Sequence, residues 1–563
     1  MLRYISHRGD SMLQLQTISC LEKVFLDEPL HADAQTVFAG FQNECISFQL
    51  AVTGDEAVHM TSVTLKADSP LASCIRLRAV HSVPVRLATR YDADDNYLRK
   101  TPGLYPDLLR DLRPGNPAGD LRLCAGQWQC FWIDAEPNGR FAPGDYPVTL
   151  TLINVLTGEE MASTSVTVSL LPGFLPAQKL KRTSWFHSDC LADYYRVPVF
   201  SEDYWRIVEN FVRTAVHRGY NMLLTPLFTP PLDTAVGGER TTVQLIDVTI
   251  VKGQYVFGFE KLHRWVRMAQ VCGMQYFEMS HLFTQWGAKH APKIMATVDG
   301  EYKRIFGWET EATGEAYAAF LRAFLPQLMQ ELRKLGIKEH TFFHISDEPR
   351  TDMMADYKSA RALVAPYVEG CTIMDALSDY AFYTSGAVTC PIPAINHLEP
   401  FLENNVPGLW TYYCVSQYKD VTNLFIAMPS TRTRMLGVQL YRYQIAGFLQ
   451  WGYNFYNTFW SAYPINPYFT TDADGRFHAG DPLQVYPGEG GVPEESLRIV
   501  VLHQAMQDLR ALEWLETLIG REKTLALLFD CAQGPLTLTE YPHDPAFFAT
   551  LRQRVNAAIL ANT

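Results

Sequence analysis

The chain has 563 residues, 47% hydrophobic and 19% charged, which describes a folded protein too long for one core and suggests about two to four domains. A net charge of -12 argues against a nucleic-acid partner, and no apolar run approaches the roughly 18–20 residues that would insert in a bilayer. Eleven scattered cysteines read as reduced thiols of a cytoplasmic protein, and no HExxH, P-loop or dinucleotide fingerprint occurs, so neither a metal nor a cofactor is expected.

Residues 1–12 read as a disordered or extended N-terminus without the apolar segment of a secretory signal. From 13 to 171 the chain is built of short alternating segments, such as Cys45-Ile46-Ser47-Phe48-Gln49-Leu50, separated by turn chemistry such as Pro143-Gly144-Asp145. That pattern predicts an antiparallel β-sandwich. Residues 90–107 stand out as a long loop able to reach a neighbour or the site, and a homodimer remains open. Residues 172–181 form a Pro/Gly-punctuated linker.

Beyond the linker, strands alternate with amphipathic helices. Eight strands are expected near 183–187, 221–227, 275–282, 341–347, 372–377, 388–395, 409–414 and 448–454. Helical patterns occupy 203–217, 260–271, 315–335, 352–366, 431–446 and 494–516. Eight such units over 182–522 predict a (β/α)8 barrel, with 523–563 as a C-terminal extension packing on it.

In a barrel the chemistry sits at the C-terminal strand ends. Strand four ends in Asp347-Glu348, two adjacent acids whose mutual repulsion splits their pKa values. Around them stand His281, Trp286 and Lys289 after strand three, Trp410, Tyr412 and Tyr413 on strand seven, and Trp451, Asn454 and Asn457 after strand eight. Aromatic planes with amides and hydroxyls around an acidic pair fit a small glycan. Tyr412 and Tyr413 point to opposite sides of their strand, so at most one of them faces the site.

An ordinary retaining glycosidase needs a second carboxylate about 5 Å away. Residues 409–417, on strand seven, contain no Asp or Glu. The alternative is a substrate whose own 2-acetamido oxygen attacks the anomeric carbon. The protein then supplies one acid for the leaving group and one adjacent carboxylate for the acetamide N–H. Asp375 or Glu278 acting as base on a water is a competing, inverting route. A non-catalytic carbohydrate-binding protein is a further reading, disfavoured by the paired acids.

The segments His344-Ile345-Ser346-Asp347-Glu348-Pro349, Ser280-His281-Leu282-Phe283-Thr284-Gln285-Trp286-Gly287 and Trp451-Gly452-Tyr453-Asn454, with Thr225-Pro226-Leu227-Phe228-Thr229-Pro230-Pro231-Leu232-Asp233-Thr234, resemble glycoside hydrolase family 123. The resemblance covers most of the chain, with the segments in the family's order. It implies release of terminal β-linked N-acetylgalactosamine by a retaining, substrate-assisted mechanism. In it Asp347 stabilises the acetamide and Glu348 is acid, then base. A broader β-N-acetylhexosaminidase, including N-acetylglucosaminides, is the alternative.

Overall fold

The computed structural model describes residues 2–5, 12–112 and 120–563. The chain divides into two compact units, one comprising Met1–Gln178, Thr422–Arg442 and Glu494–Thr563, the other Lys179–Val421 and Tyr443–Pro493. The expected boundaries are therefore crossed twice by the chain.

In the first unit, one sheet runs in the order Leu2–Ile5, Met12–Ser19, Ile46–Gly54, Gln129–Ala135, Ile75–Val85, Gly103–Asp111 and Glu494–Ser496. A second sheet runs Val37–Phe41, Glu160–Leu171, Gly144–Asn154, Ser62–Asp68, Leu121–Arg122. Alternate residues of both sheets (Phe48, Leu50, Phe131 and Ile133; Leu65, Val148, Leu150 and Val166) meet in one apolar core. One pair departs from the antiparallel expectation: Val37–Phe41 runs parallel to Glu160–Leu171. Val37–Phe41 is joined to the preceding strand, in the other sheet, by a crossover rather than a hairpin, so no turn dictates an antiparallel direction.

The expected extended N-terminus is a strand over Leu2–Ile5, paired antiparallel with Met12–Ser19; residues 1 and 6–11 lie outside the described residues. The expected long loop of 90–107 is shorter, because Gly103–Asp111 pairs as a strand with Ile75–Val85. Its ends are anchored by Asp107 to Arg498 at 2.7 Å and Asp94 to Arg432 at 2.9 Å, all within the first unit. The C-terminal extension also belongs to this unit. Its helix Pro545–Asn562 places Arg552 2.7 Å from Glu44. The helices Ser430–Arg442 and Leu497–Ile519, expected in the barrel segment, group here as well. They touch at Gly437, where a Cβ would clash with the Ala505 carbonyl oxygen.

The second unit is built on eight parallel strands: Lys181–Ser184, Met222–Thr225, Tyr276–Met279, Thr341–Phe343, Thr372–Ala376, Cys390–Ile392, Trp410–Tyr413 and Gly447–Gln450. Each coincides with an expected strand. Strands six and seven meet through a parallel bridge between Ala394 and Tyr412, which nearly closes the barrel. Helices Glu202–His217, capped by the Ser201 hydroxyl, and Glu260–Cys272 follow strands one and two. A four-stranded sheet from Asp247–Val251, Gln254–Gly258, Ile294–Val298 and Glu301–Phe306 was not foreseen; it is inserted in the loops after strands two and three. Among the described residues no helix is long and apolar enough to cross a membrane.

Candidate active site

Strand four is short because its ladder ends at Phe343, and residues 344–348 then climb out of the barrel. His344, Ile345 and Ser346 are buried, whereas Asp347 and Glu348 are partly exposed. Glu348 adopts a left-handed backbone, φ 43°, a conformation that costs a non-glycine residue on the order of 1 kcal/mol. Its N–H donates to the Ala376 carbonyl at 3.0 Å, which holds the turn against strand five. The Tyr412 hydroxyl donates to Glu348 Oε1 at 2.5 Å from strand seven. The Trp286 N–H donates to the Asp347 carbonyl at 2.9 Å, pinning the loop after strand three to the pair. That loop needs Gly287 at φ 112°, where a Cβ would lie 2.9 Å from Met353 Sδ.

Burial, then the neighbouring Glu348 charge, push the Asp347 carboxyl well above its usual range, with His344 opposing. Burial likewise raises Glu348, and the Tyr412 hydrogen bond opposes it. Two such acids titrate as a pair and retain one shared proton at pH values where separate carboxyls are ionised.

Beneath the pair lies a cluster that sequence reasoning did not assemble. His344 Nε2 is 2.6 Å from Glu278 Oε1 and its Nδ1 is 3.1 Å from Asp375 Oδ1, all three side chains fully buried. Glu278 also accepts from Thr183 Oγ1 at 2.6 Å and Trp185 Nε1 at 2.7 Å. Asp375 also accepts from the Ile345 N–H at 3.0 Å and Tyr357 Oη at 2.5 Å. Burial works against a charged His344, but hydrogen bonds to Asp375 and Glu278 outweigh it and raise the imidazole to about 10. His281 stacks on the His344 ring at 4.3 Å and 20°, and burial drives it well below its usual value. His281, His344 and Asp375 carry metal-ligand atoms within 4.8 Å of one another. The rings are nearly parallel, however, so their in-plane lone pairs do not converge on one ion, and carboxylates occupy both His344 nitrogens. Glu278 and Asp375 are thus committed to His344 and sealed from water, which removes the competing base role.

The remaining expected residues divide. Tyr412 and Trp286 join the pair; Trp286 is 37% exposed. Trp451 is partly exposed, with Nε1 donating to Asp481 Oδ2 at 3.1 Å and its ring packed on Phe455 and Phe477. Lys289 is exposed on the loop after strand three, where its charge acts on exposed Asp352. Others are corrected. Tyr413 faces away from the barrel interior and packs on Phe448 at 4.9 Å, because adjacent strand residues alternate. Trp410 shares Tyr412's face but lies two residues deeper, buried in the interior cluster with Phe342 and over Gly447. His281 is buried to 1% and walled by Trp185 and His344 rather than open to a sugar. Asn454 is consumed by the His187 backbone, accepting at 2.9 Å and donating at 3.1 Å. Asn457 Nδ2 donates to Cys190 Sγ at 3.4 Å. Both asparagines tie the loop after strand eight to that after strand one.

Asp233, quoted only within a motif, is a third acid of the region. Its N–H donates to Gln285 Oε1 at 2.7 Å, and it accepts from the Trp460 N–H at 3.1 Å. Burial pushes its carboxyl up to about 6, with the Trp460 N–H and Arg240 opposing. Its charge also adds to the rise at Asp347.

The catalytic-domain model of glycoside hydrolase 123 matches residues 185–515. The chain belongs to glycoside hydrolase family 123. This family 123 chain is similar over 98% of its length to 98% of a family 123 glycoside hydrolase from Clostridium perfringens, described for glycolipid glycan hydrolysis, with TM-score 0.71 and 13% identity. That likeness concerns the fold. A calcium-binding mutant of Bacteroides uniformis beta-glucuronidase 2 aligns over 82% of this chain and 48% of its own at TM-score 0.28 and 12% identity, too weakly to carry an argument. No curated protein matches the sequence. As a family 123 member the protein is a glycoside hydrolase.

Proposed function

We propose that this glycoside hydrolase releases terminal β-linked N-acetylgalactosamine with retention, through an oxazoline formed by the substrate itself. The observation that carries the reading is the acid pair opposed, across the strand-end rim, by a tyrosine rather than a carboxylate: Tyr412 meets Glu348 at 2.5 Å, and residues 409–417 hold no acid. With a tyrosine where the strand-seven carboxylate would stand, the acetamide oxygen takes the place of a protein nucleophile.

In the first step that oxygen forms a bond to the anomeric carbon while the glycosidic C–O bond breaks. The departing oxygen keeps the bonding pair and takes the Glu348 proton. Asp347, ionised, accepts the acetamide N–H and stabilises the positive charge growing on the amide. Glu348 then removes a proton from water, whose oxygen opens the oxazoline at the anomeric carbon and regenerates the acetamide. Two inversions give a β-hemiacetal. Tyr412 supports Glu348. The first unit, which we read as a β-sandwich, supplies none of these groups.

A nitrophenyl glycoside panel tests the reading. β-GalNAc is expected to be cleaved and β-galactoside, lacking the acetamide, left intact; equal cleavage of the two would sink the mechanism. Equal rates on β-GlcNAc would widen the specificity to N-acetylhexosaminides. A thiazoline analogue is expected to inhibit tightly as an oxazoline mimic.

A further inference from the structure

We propose that His344 is a positioning residue: an imidazolium clamped between Glu278 and Asp375, whose positive charge opposes burial and the Glu348 charge at Asp347 and so favours its ionised form. This rests on the function proposed above, in which Asp347 acts as a carboxylate.

Burial and convergence carry the argument. Three fully buried ionisable side chains from three neighbouring strand ends meet at 2.6 and 3.1 Å. Each carboxylate accepts hydrogen bonds from two further groups, Glu278 from Thr183 and Trp185, Asp375 from Ile345 and Tyr357. With a neutral imidazole, one of the two carboxylates would face a ring nitrogen lone pair with no proton between them. Two ionised carboxylates and one imidazole are satisfied only when both ring nitrogens carry protons. His344 titrates far above its ordinary range, in agreement.

The charge acts on one member of the pair. His344 is the group that lowers Asp347 against the combined effects of burial, Glu348, Asp375 and Asp233. On Glu348 the opposing influence is the Tyr412 hydrogen bond. His281 faces the His344 ring as a neutral plane, kept so by burial and by the His344 charge. A carboxylate has to stand ready for the acetamide N–H before the glycosidic bond breaks, and a neutral Asp347 would compete with Glu348 for the proton. The imidazolium biases that choice before the substrate arrives.

Two measurements on the full-length protein test the proposal. In histidine-15N-labelled protein, one imidazole is expected to remain doubly protonated at about pH 9, where an ordinary histidine is neutral. If none does, the proposal is overturned. This reading needs no turnover, so it stands or falls separately from the substrate assignment, which the glycoside panel decides. The second uses the double variant His344→Gln/Glu278→Gln, which removes one positive and one negative charge and keeps the core's net charge. It is expected to move the acid limb of the kcat/KM–pH profile upward by about one unit, because Asp347 now holds its proton longer. Turnover at the optimum is expected to fall about 10-fold or more, even with a dinitrophenyl leaving group that needs no acid. A folded double variant with its acid limb in the wild-type place would assign the cluster a purely structural role and overturn the proposal. Should that variant not fold, the imidazole measurement on the wild-type chain still decides.

Discussion

Two groups of acids stand at the ends of neighbouring strands, and their environments differ in charge pairing and in exposure. In the Glu278–His344–Asp375 cluster every charge has a partner of opposite sign within 3.1 Å, and solvent is excluded. At Asp347–Glu348 the neighbour of each acid is another acid, the rim is partly exposed, and a neutral phenol is the nearest donor to Glu348. A compensated cluster fixes geometry. An uncompensated pair holds a mobile proton and is the one available for chemistry.

The largest expected effect tests the uncompensated pair. Glu348→Gln removes the acid and is expected to lower turnover of unactivated β-GalNAc glycosides by about 10²–10⁴-fold, with a smaller loss on dinitrophenyl glycosides. Asp347→Asn is expected to be comparably impaired with both leaving groups. Near-wild-type rates for either would break the contrast. Because both acids have raised pKa values, the unfolded chain gives up their protons first, and folding grows less favourable as pH rises above the ordinary carboxyl range. Each amide variant is therefore expected to melt higher than wild type at neutral pH, checked by calorimetry; a lower Tm would contradict the strain assigned to the pair.

Tyr412→Phe probes the phenol between these extremes. The Tyr412 hydrogen bond lowers Glu348, so its loss is expected to shift the alkaline limb of kcat/KM upward and cut the rate by about 10-fold. A downward shift would show that Tyr412 does not favour the ionised acid.

The compensated cluster has the opposite pH signature. His344 is raised above its unfolded value to about 10, so its contribution to stability is complete below about pH 6.5 and declines as pH climbs toward 10. Thermal melts between pH 7 and about 10 are expected to show this decline, and its absence would sharpen doubt on the charge. The smallest effect belongs to Asn454→Ala, which unfastens a loop from His187. It is expected to cost about 1–3 kcal/mol of stability in urea titration while leaving KM for the glycoside near wild type.

Much of the barrel was legible in the chain. Buried strands announce themselves as short apolar runs bounded by turns, and each of the eight expected runs overlaps one strand of the barrel. The acid pair was legible for the same reason: a local pattern ends where it should not. Side-chain direction was less so. Trp410 and Tyr413 flank Tyr412 in sequence, yet one lies deeper in the barrel and the other packs outside it. Asn454 and Asn457 lie in the right loop, but the neighbouring His187 and Cys190 claim them.

By itself the sequence determined the parallel barrel, the place of Asp347-Glu348 on it and the lack of an opposing strand-seven acid, since each depends on periodicity and composition over a few residues. Only the tertiary structure decided which charges compensate one another. Glu278 and Asp375 lie 66 and 31 positions from His344, and no local pattern pairs them. Their meeting depends on strands three, four and five lying side by side, and on burial strong enough to make an unpaired charge there untenable.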